Sequence, residues 1–254
     1  MIDGTAVYVL WLREMKRFLR AKSRVIGTLA MPLFFLGFLG WGFNNMDIPG
    51  LSKNINYISF LVPGIIGMTM LFTSMFAGIS VLWDKEFGFL KEIMVAPVSR
   101  VSIVIGRIVG GATTSVLQGV LILGISILMG FKIIGLFQFL LSVVFMILIS
   151  STFIGLGLIF ASKMRDIHGF SLIMNFVIFP LFFLSGALFP LENLPLLIRY
   201  VSFLDPLTYG VDGLRAVLIG VSLFPLITNF LILTAFSILM VFLGAYFFEK
   251  SESV

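Results

Sequence analysis

The sequence has no cysteine, one histidine, and charged side chains at only 11% of its 254 positions. Without cysteine there is no disulfide and no thiol chemistry, although this does not report the compartment. The lone histidine, His168 in "SKMRDIHGF", cannot make an H-E-x-x-H zinc site. It reads as a residue of a short turn, and no metal site is expected. "FLSGALF" around Ser185 has the look of an intramembrane serine protease site. However, Phe183 stands where a glycine would be needed, and no histidine base is available. There is no G-x-x-x-x-G-K-[ST] phosphate loop, so the chain is not expected to hydrolyse ATP itself. The apolar runs carry essentially no Asp, Glu, His or Lys, which argues against a proton-driven pump. Neither an acidic ring nor a filter motif of a cation channel is found.

What is present is apolar. Hydrophobic residues make up 59% of the chain, 29 of them Phe, and mean hydropathy is +1.15. Apolar runs of about 18 residues or more recur throughout, as in a multi-spanning membrane protein. They lack the alternation of barrel strands, so the spans are helices with internally satisfied backbones. Six spans are predicted, near 25–43, 58–82, 108–130, 137–161, 170–189 and 224–247. The first is read as a retained span, because "GFLGWGFNN" does not resemble a signal-peptidase site. No linker or repeat divides the chain, which reads as one membrane domain over 1–254. It comprises 1–24 before the first span, 25–189 with spans one to five, 190–222 as an outer segment, and 223–254 with the last span and a tail.

Charge sets orientation. If the N-terminus is cytoplasmic, thirteen of the 17 Lys and Arg residues fall on that side and four outside. This asymmetry places both termini in the cytoplasm of a multi-pass protein of the plasma membrane. It also explains the net charge of +5 without invoking nucleic acid, which is not an expected partner.

Three segments outside the spans carry pattern. In "YVLWLREMKRFLRAKSR", Val7, Leu10, Trp11, Met15, Phe18 and Leu19 can share one helical face, with Arg13, Lys16, Arg17 and Arg20 largely elsewhere. This predicts an amphipathic helix in the cytoplasmic interface, touching anionic lipid. In "DKEFGFLKEIMVAPVSR", Phe87, Leu90, Ile93 and Met94 recur at helical spacing, with Asp84, Lys85, Lys91 and Glu92 mainly on other faces. Pro97 disfavours helix at Ala96, and Ser99 can cap the third span. Such a helix can act as a lever for a partner or lie on lipid headgroups; the pattern serves both. Finally, Pro190–Gly220 is too apolar for a solvated loop and too interrupted by Pro190, Pro195 and Pro206 for one span. It predicts two short helices, re-entrant or at the outer interface, with Asp205 capping one that begins at Pro206. Asp212 is placed at that interface. Within the spans, Gly106/Gly110 and Gly37/Gly40 suit close helix approach, and Pro180 interrupts a Phe-rich fifth span.

"LWDKEFGFLKEIMVAPVSRVSIVIGR" resembles the segment after the second span of ATP-binding-cassette (ABC) type-2 membrane subunits. Lys85, Glu86, Gly88, Pro97, Ser99 and Arg100 sit where that pattern expects them. "FLVPGIIGMTMLF" resembles the family's second span. "PLFFLSGALFPLENLPLLIRYVSFLDPLTYGVDGLRAVLIG" resembles its fifth span, outer helices and Pro-x-x-Tyr segment. The likeness covers essentially the whole chain and is nearest to the drug-resistance and nodulation-factor exporters.

The resemblance implies a fold: an all-α integral membrane protein of six spans, with an N-terminal interfacial helix, a cytoplasmic coupling helix between spans two and three, and two outer helices. It also implies a dimer of permease protomers, an identical copy being expected, over two copies of an ABC ATPase. ATP and Mg would sit on that ATPase, and no cofactor on this chain. Asp84, Lys85, Glu86, Phe87, Gly88, Leu90, Lys91, Glu92 and Met94 would form the coupling contact. Trp11, Arg13, Lys16, Arg17, Phe18 and Arg20 would flank it. Asn175, Phe176, Phe179, Phe182 and Phe183 would face the route of a hydrophobic or amphipathic cargo. The alternatives are a lipid-linked glycan exporter permease and a non-transporting scaffold or regulatory subunit.

Overall fold

A computed structural model describes residues 3–43, 56–88, 98–132, 135–164 and 166–251. Ten α-helices are described: α1 Gly4–Arg20, α2 Lys22–Gly42, α3 Tyr57–Ala77, α4 Ile79–Glu86, α5 Arg100–Leu128, α6 Leu136–Lys163, α7 Ile167–Leu184, α8 Leu196–Ser202, α9 Pro206–Ile219 and α10 Leu226–Ser251. A 3₁₀ turn, Leu191–Asn193, precedes α8. Six helical stretches are long and apolar enough to span a membrane: α2, α3 with α4, α5, α6, α7 and α10.

The helix starts follow their capping chemistry. Asp3 accepts from the N–H groups of Thr5 and Ala6 and opens α1. The Ser99 hydroxyl accepts from Ser102 N–H and opens α5. Asp166 caps α7, and Asp205 caps α9, with Pro206 in its first turn. α5 starts eight residues before the predicted span. At 29 residues it is about 43 Å long, against about 30 Å of hydrocarbon. Its charged start can therefore project beyond the apolar layer.

α3 is the central post. It packs against α2, α5, α6, α7 and α9, and from Phe60 to Leu71 every residue is buried. α10 lies along α6 and α1 along α5. The Gly106/Gly110 pair accounts for the second contact. A Cβ on Gly106 would lie 2.9 Å from Leu10 Cβ, and one on Gly110 3.0 Å from Glu14 Cβ. The small stripe thus admits α1 at close range. The predicted Gly37/Gly40 pair behaves differently. Gly40 touches the Ile58 side chain, while Gly37 meets nothing within 4 Å.

The predicted stripe on α1 is only partly used. Met15 is buried and Leu10, Trp11 and Phe18 half-buried, but Leu19 is exposed. The helix is held by protein as well as by pattern: Trp11 Nε1 donates to Thr113 Oγ1 at 3.1 Å, and Asp3 N–H to Ser102 Oγ at 2.8 Å.

The two short helices between spans five and six are present, with different surroundings. α8 exposes Leu196, Leu197 and Tyr200. α9 is buried along nearly its whole length, between α3, α6 and α10. It is a piece of the core.

Candidate functional site

At the end of the bundle where α1, α4 and α5 meet, three charges are joined. Asp84, 3% exposed, lies in the last turn of α4. It accepts from Arg107 Nη2 through Oδ2 at 2.7 Å and from Arg13 Nη2 through Oδ1. One carboxylate thus ties the N-terminal helix to spans two and three. Beside it, Arg17 approaches Glu14 at 3.5 Å and stacks over the Trp83 ring. The chain then leaves this end at Glu86 and Phe87, both exposed, and Gly88, whose φ of 73° is a left-handed value suited to glycine.

A cavity of about 440 Å³ lies beside this cluster, lined by residues of α1 to α7. Its walls are mainly apolar, among them Val25, Phe72, Phe76 and Leu158, and Arg17 and Arg107 stand at its charged end. Deeper along α5, Gln118 Oε1 accepts from Thr28 Oγ1 at 3.0 Å and Thr73 Oγ1 at 3.2 Å.

At the other end, α9 carries buried polar chemistry. Asp212 accepts from Leu223 N–H at 2.8 Å, Phe224 N–H at 3.0 Å and Asn229 Nδ2 at 2.8 Å. It is a buried staple of the α9–α10 connection. Arg215 donates to Gly186 O at 3.0 Å and lies 3.8 Å from the Phe60 ring centroid. Burial lowers its guanidinium to about 10, opposed by the Asp212 charge. Burial also pushes the Asp205 carboxyl up to about 8, with the Leu207 N–H acting against it.

Two comparisons with known proteins bear on this geometry. Residues 5–219 match the ABC-2 type transporter family. The inner membrane transport permease YadH of Escherichia coli K12 is 30% identical over 237 residues, covering 91% of this chain and 90% of the relative. This chain belongs to the ABC-2 type transporter family. The putative transport permease ycf38 of Pyropia yezoensis is 30% identical, covering 77% of this chain and 68% of the relative. Nodulation protein J of Rhizobium leguminosarum bv. viciae is 25% identical, covering 84% and 79%. The chain is an ABC-2 family permease, a multi-pass membrane transport component.

In this ABC-2 permease the sequence-chosen residues separate into groups. Of the coupling set, Glu86 and Phe87 are exposed and Gly88 half-buried. Lys85 lies in α4. Leu90, Lys91, Glu92 and Met94 lie outside the described residues, as does most of the helix predicted there. Asp84 points into the ion cluster. Of the flanking set, Trp11, Arg13, Arg17 and Phe18 are half-buried, and Lys16 and Arg20 exposed. On α7, Asn175, Phe176 and Phe183 are exposed, and Asn175 lines the cavity. Phe179 is half-buried and meets Phe72 edge to face. Phe182 is fully buried and packs on Phe35. Arg107 was missed by sequence reasoning, which began the third span one residue after it. The signal was a lone arginine between apolar runs, 23 residues after an aspartate that ends the span before.

Proposed function

We propose that this ABC-2 permease is the membrane-spanning subunit of an ATP-driven exporter for hydrophobic or amphipathic molecules. Two copies of a separate ABC ATPase would supply the energy, with ATP and Mg bound there, and an identical protomer would complete the membrane part. The observation that carries this reading is the Arg13–Asp84–Arg107 cluster, directly behind an exposed Glu86–Phe87 turn. A load applied at the turn meets α4, and the buried carboxylate passes it to α1 and α5 as one body. The coupling contact would then be Lys85, Glu86, Phe87 and Gly88 continuing through Leu90, Lys91, Glu92 and Met94, with Asp84 as its internal anchor. Both termini would be cytoplasmic, in keeping with the Lys/Arg asymmetry.

α2 and α7 are the faces we assign to the second protomer. Only 17% of the apolar window of α2 and 22% of that of α7 is buried within the protomer, and α10, at 17%, is as open and is assigned to lipid. Phe34, Phe38 and Trp41 on α2, and Phe176 and Phe183 on α7, are left free to meet another apolar surface. The Phe72, Phe76 and Phe179 side chains between those helices favour lipid-like or drug-like cargo over a glycan. The route would run from the cavity along α7 past α8.

The test is uptake of a fluorescent amphiphile into inside-out vesicles holding the permease and a candidate ABC ATPase. ATP-dependent uptake in wild type, lost in Phe87→Asp with insertion unchanged, is the expected result. Undiminished uptake in Phe87→Asp would refute the coupling assignment.

A further inference from the structure

The cavity beside the ion cluster holds a polar belt at half depth. Thr73 lies 11 residues before Asp84, and Gln118 lies 11 residues after Arg107. Each interval corresponds to about 16 Å of helix, halfway through about 30 Å of hydrocarbon. There Gln118 Oε1 on α5 accepts from Thr28 of α2 at 3.0 Å and from Thr73 of α3 at 3.2 Å. All three residues line the cavity.

This staple of three helices uses only the carbonyl of Gln118. Its Nε2 has no hydrogen-bond partner among the described residues. Unlike Arg107 Nε and Nη1, which are sealed in protein, it keeps accessible surface. The side chain as a whole is 4% exposed, so the amide is reached from the cavity that it lines. A donor left unmade at this depth is costly, because no bulk water stands in for a partner. The wall is apolar on both sides of the belt. Val25 and Phe76 lie between it and the ion cluster, and Met31, Pro32 and Met68 lie beyond it. The volume of about 440 Å³ is in the range of small-molecule sites.

We propose that the cavity binds a compact uncharged lipophile that carries a carbonyl oxygen within its apolar body, the oxygen accepting from Gln118 Nε2. Apolar wall on either side of the belt suits an oxygen in the middle of the molecule, not a head at the end of a tail. A carboxylate or phosphate brought to this depth would exchange its hydration for a neutral N–H donor, a poor return for a full charge. The inference rests on the exporter reading for its biological sense, since it narrows the class of cargo. Its physical content is binding by the permease alone, so it can fail while the ATPase contact stands.

The test is photolabelling of the full-length permease in phosphatidylcholine nanodiscs, with no ATPase present. One probe is a tetradecane chain with a ketone at its midpoint and a terminal diazirine. The other has a methylene in place of the ketone. Labelled α3 and α5 peptides are quantified by mass spectrometry and normalised to labelling of the lipid. The expected result is labelling about fivefold stronger with the ketone, the effect of one hydrogen bond of ordinary strength. Gln118→Met, similar in shape and without the N–H, should bring the ketone down to the methylene probe and leave the latter unchanged. Thr114→Phe, at another residue of the cavity wall, should obstruct the space and lower labelling by both. Equal labelling of wild type by the two probes would overturn the proposal, and that comparison needs no variant. A ketone preference that survives Gln118→Met would overturn it too. So would an equal loss of both probes in that variant, or labelling that Thr114→Phe leaves intact.

Discussion

Asp84 and Arg107 lie 23 positions apart and meet at 2.7 Å with both side chains about 95% buried. Breaking such a pair from one side leaves a buried charge uncompensated, which costs about 3–5 kcal/mol. Asp84→Asn strands Arg107 and weakens the hold on Arg13. Its thermal unfolding in detergent should be the most impaired among variants of the cluster. Arg13→Gln, at a side chain 28% exposed, should cost about 1 kcal/mol or less. An equal loss in both variants would mean that the carboxylate does not bridge the three helices.

The carboxyl of Asp205 carries a pH prediction. Its folded value of about 8 lies above the unfolded value of about 3.9. The folded state therefore keeps the proton over a window in which the unfolded state has lost it. The contribution of this carboxyl to stability is full below about pH 4, falls as pH rises towards 8, and levels above. Asp205→Asn retains a capping oxygen for Leu207 N–H and removes the titration. Unfolding measured from pH 5 to 8 should show a flatter profile in this variant.

Asp212 accepts three hydrogen bonds that fix the start of α10 to α9. Asp212→Ala leaves those donors without their acceptor and removes the charge near Arg215. The expected loss is about 3 kcal/mol or more. Hydrogen exchange should rise first at Leu223 and Phe224. A variant with wild-type exchange there would contradict the staple.

Gly64 lies against the turn that follows α7. A Cβ there would come within 2.2 Å of Ala187 O, a backbone atom that cannot swing aside. Gly64→Ala should destabilise the fold by about 1–3 kcal/mol. Gly37→Ala, with nothing within 4 Å, should be neutral within the protomer. If Gly37→Ala nonetheless lowers the mass of the assembled permease, α2 is part of the contact between copies.

Much of the frame was legible because bilayer physics writes long signals. Six apolar runs, the Asp205–Pro206 cap and the Ser99 cap all come from local chemistry. What escaped was pairing across the chain. Asp84 and Arg107 each look like a loop-flanking charge, and only packing reveals that they are partners. The same holds for Asp212, whose nearest donors lie beyond the end of its own helix. The Phe residues of α7 showed the opposite limit. Their spacing did not distinguish Phe182, buried on Phe35, from Phe176, which faces outward.

The central claim, that the Glu86–Phe87 end receives an ABC ATPase, is tested most directly by native mass spectrometry. The permease would be co-expressed with a candidate ABC ATPase and weighed, beside a Glu86→Lys/Phe87→Asp double variant. The predicted result is a complex of two permeases and two ATPases in wild type. In the double variant the ATPases should be lost and the permease remain folded. An intact four-subunit complex in the double variant would contradict the claim.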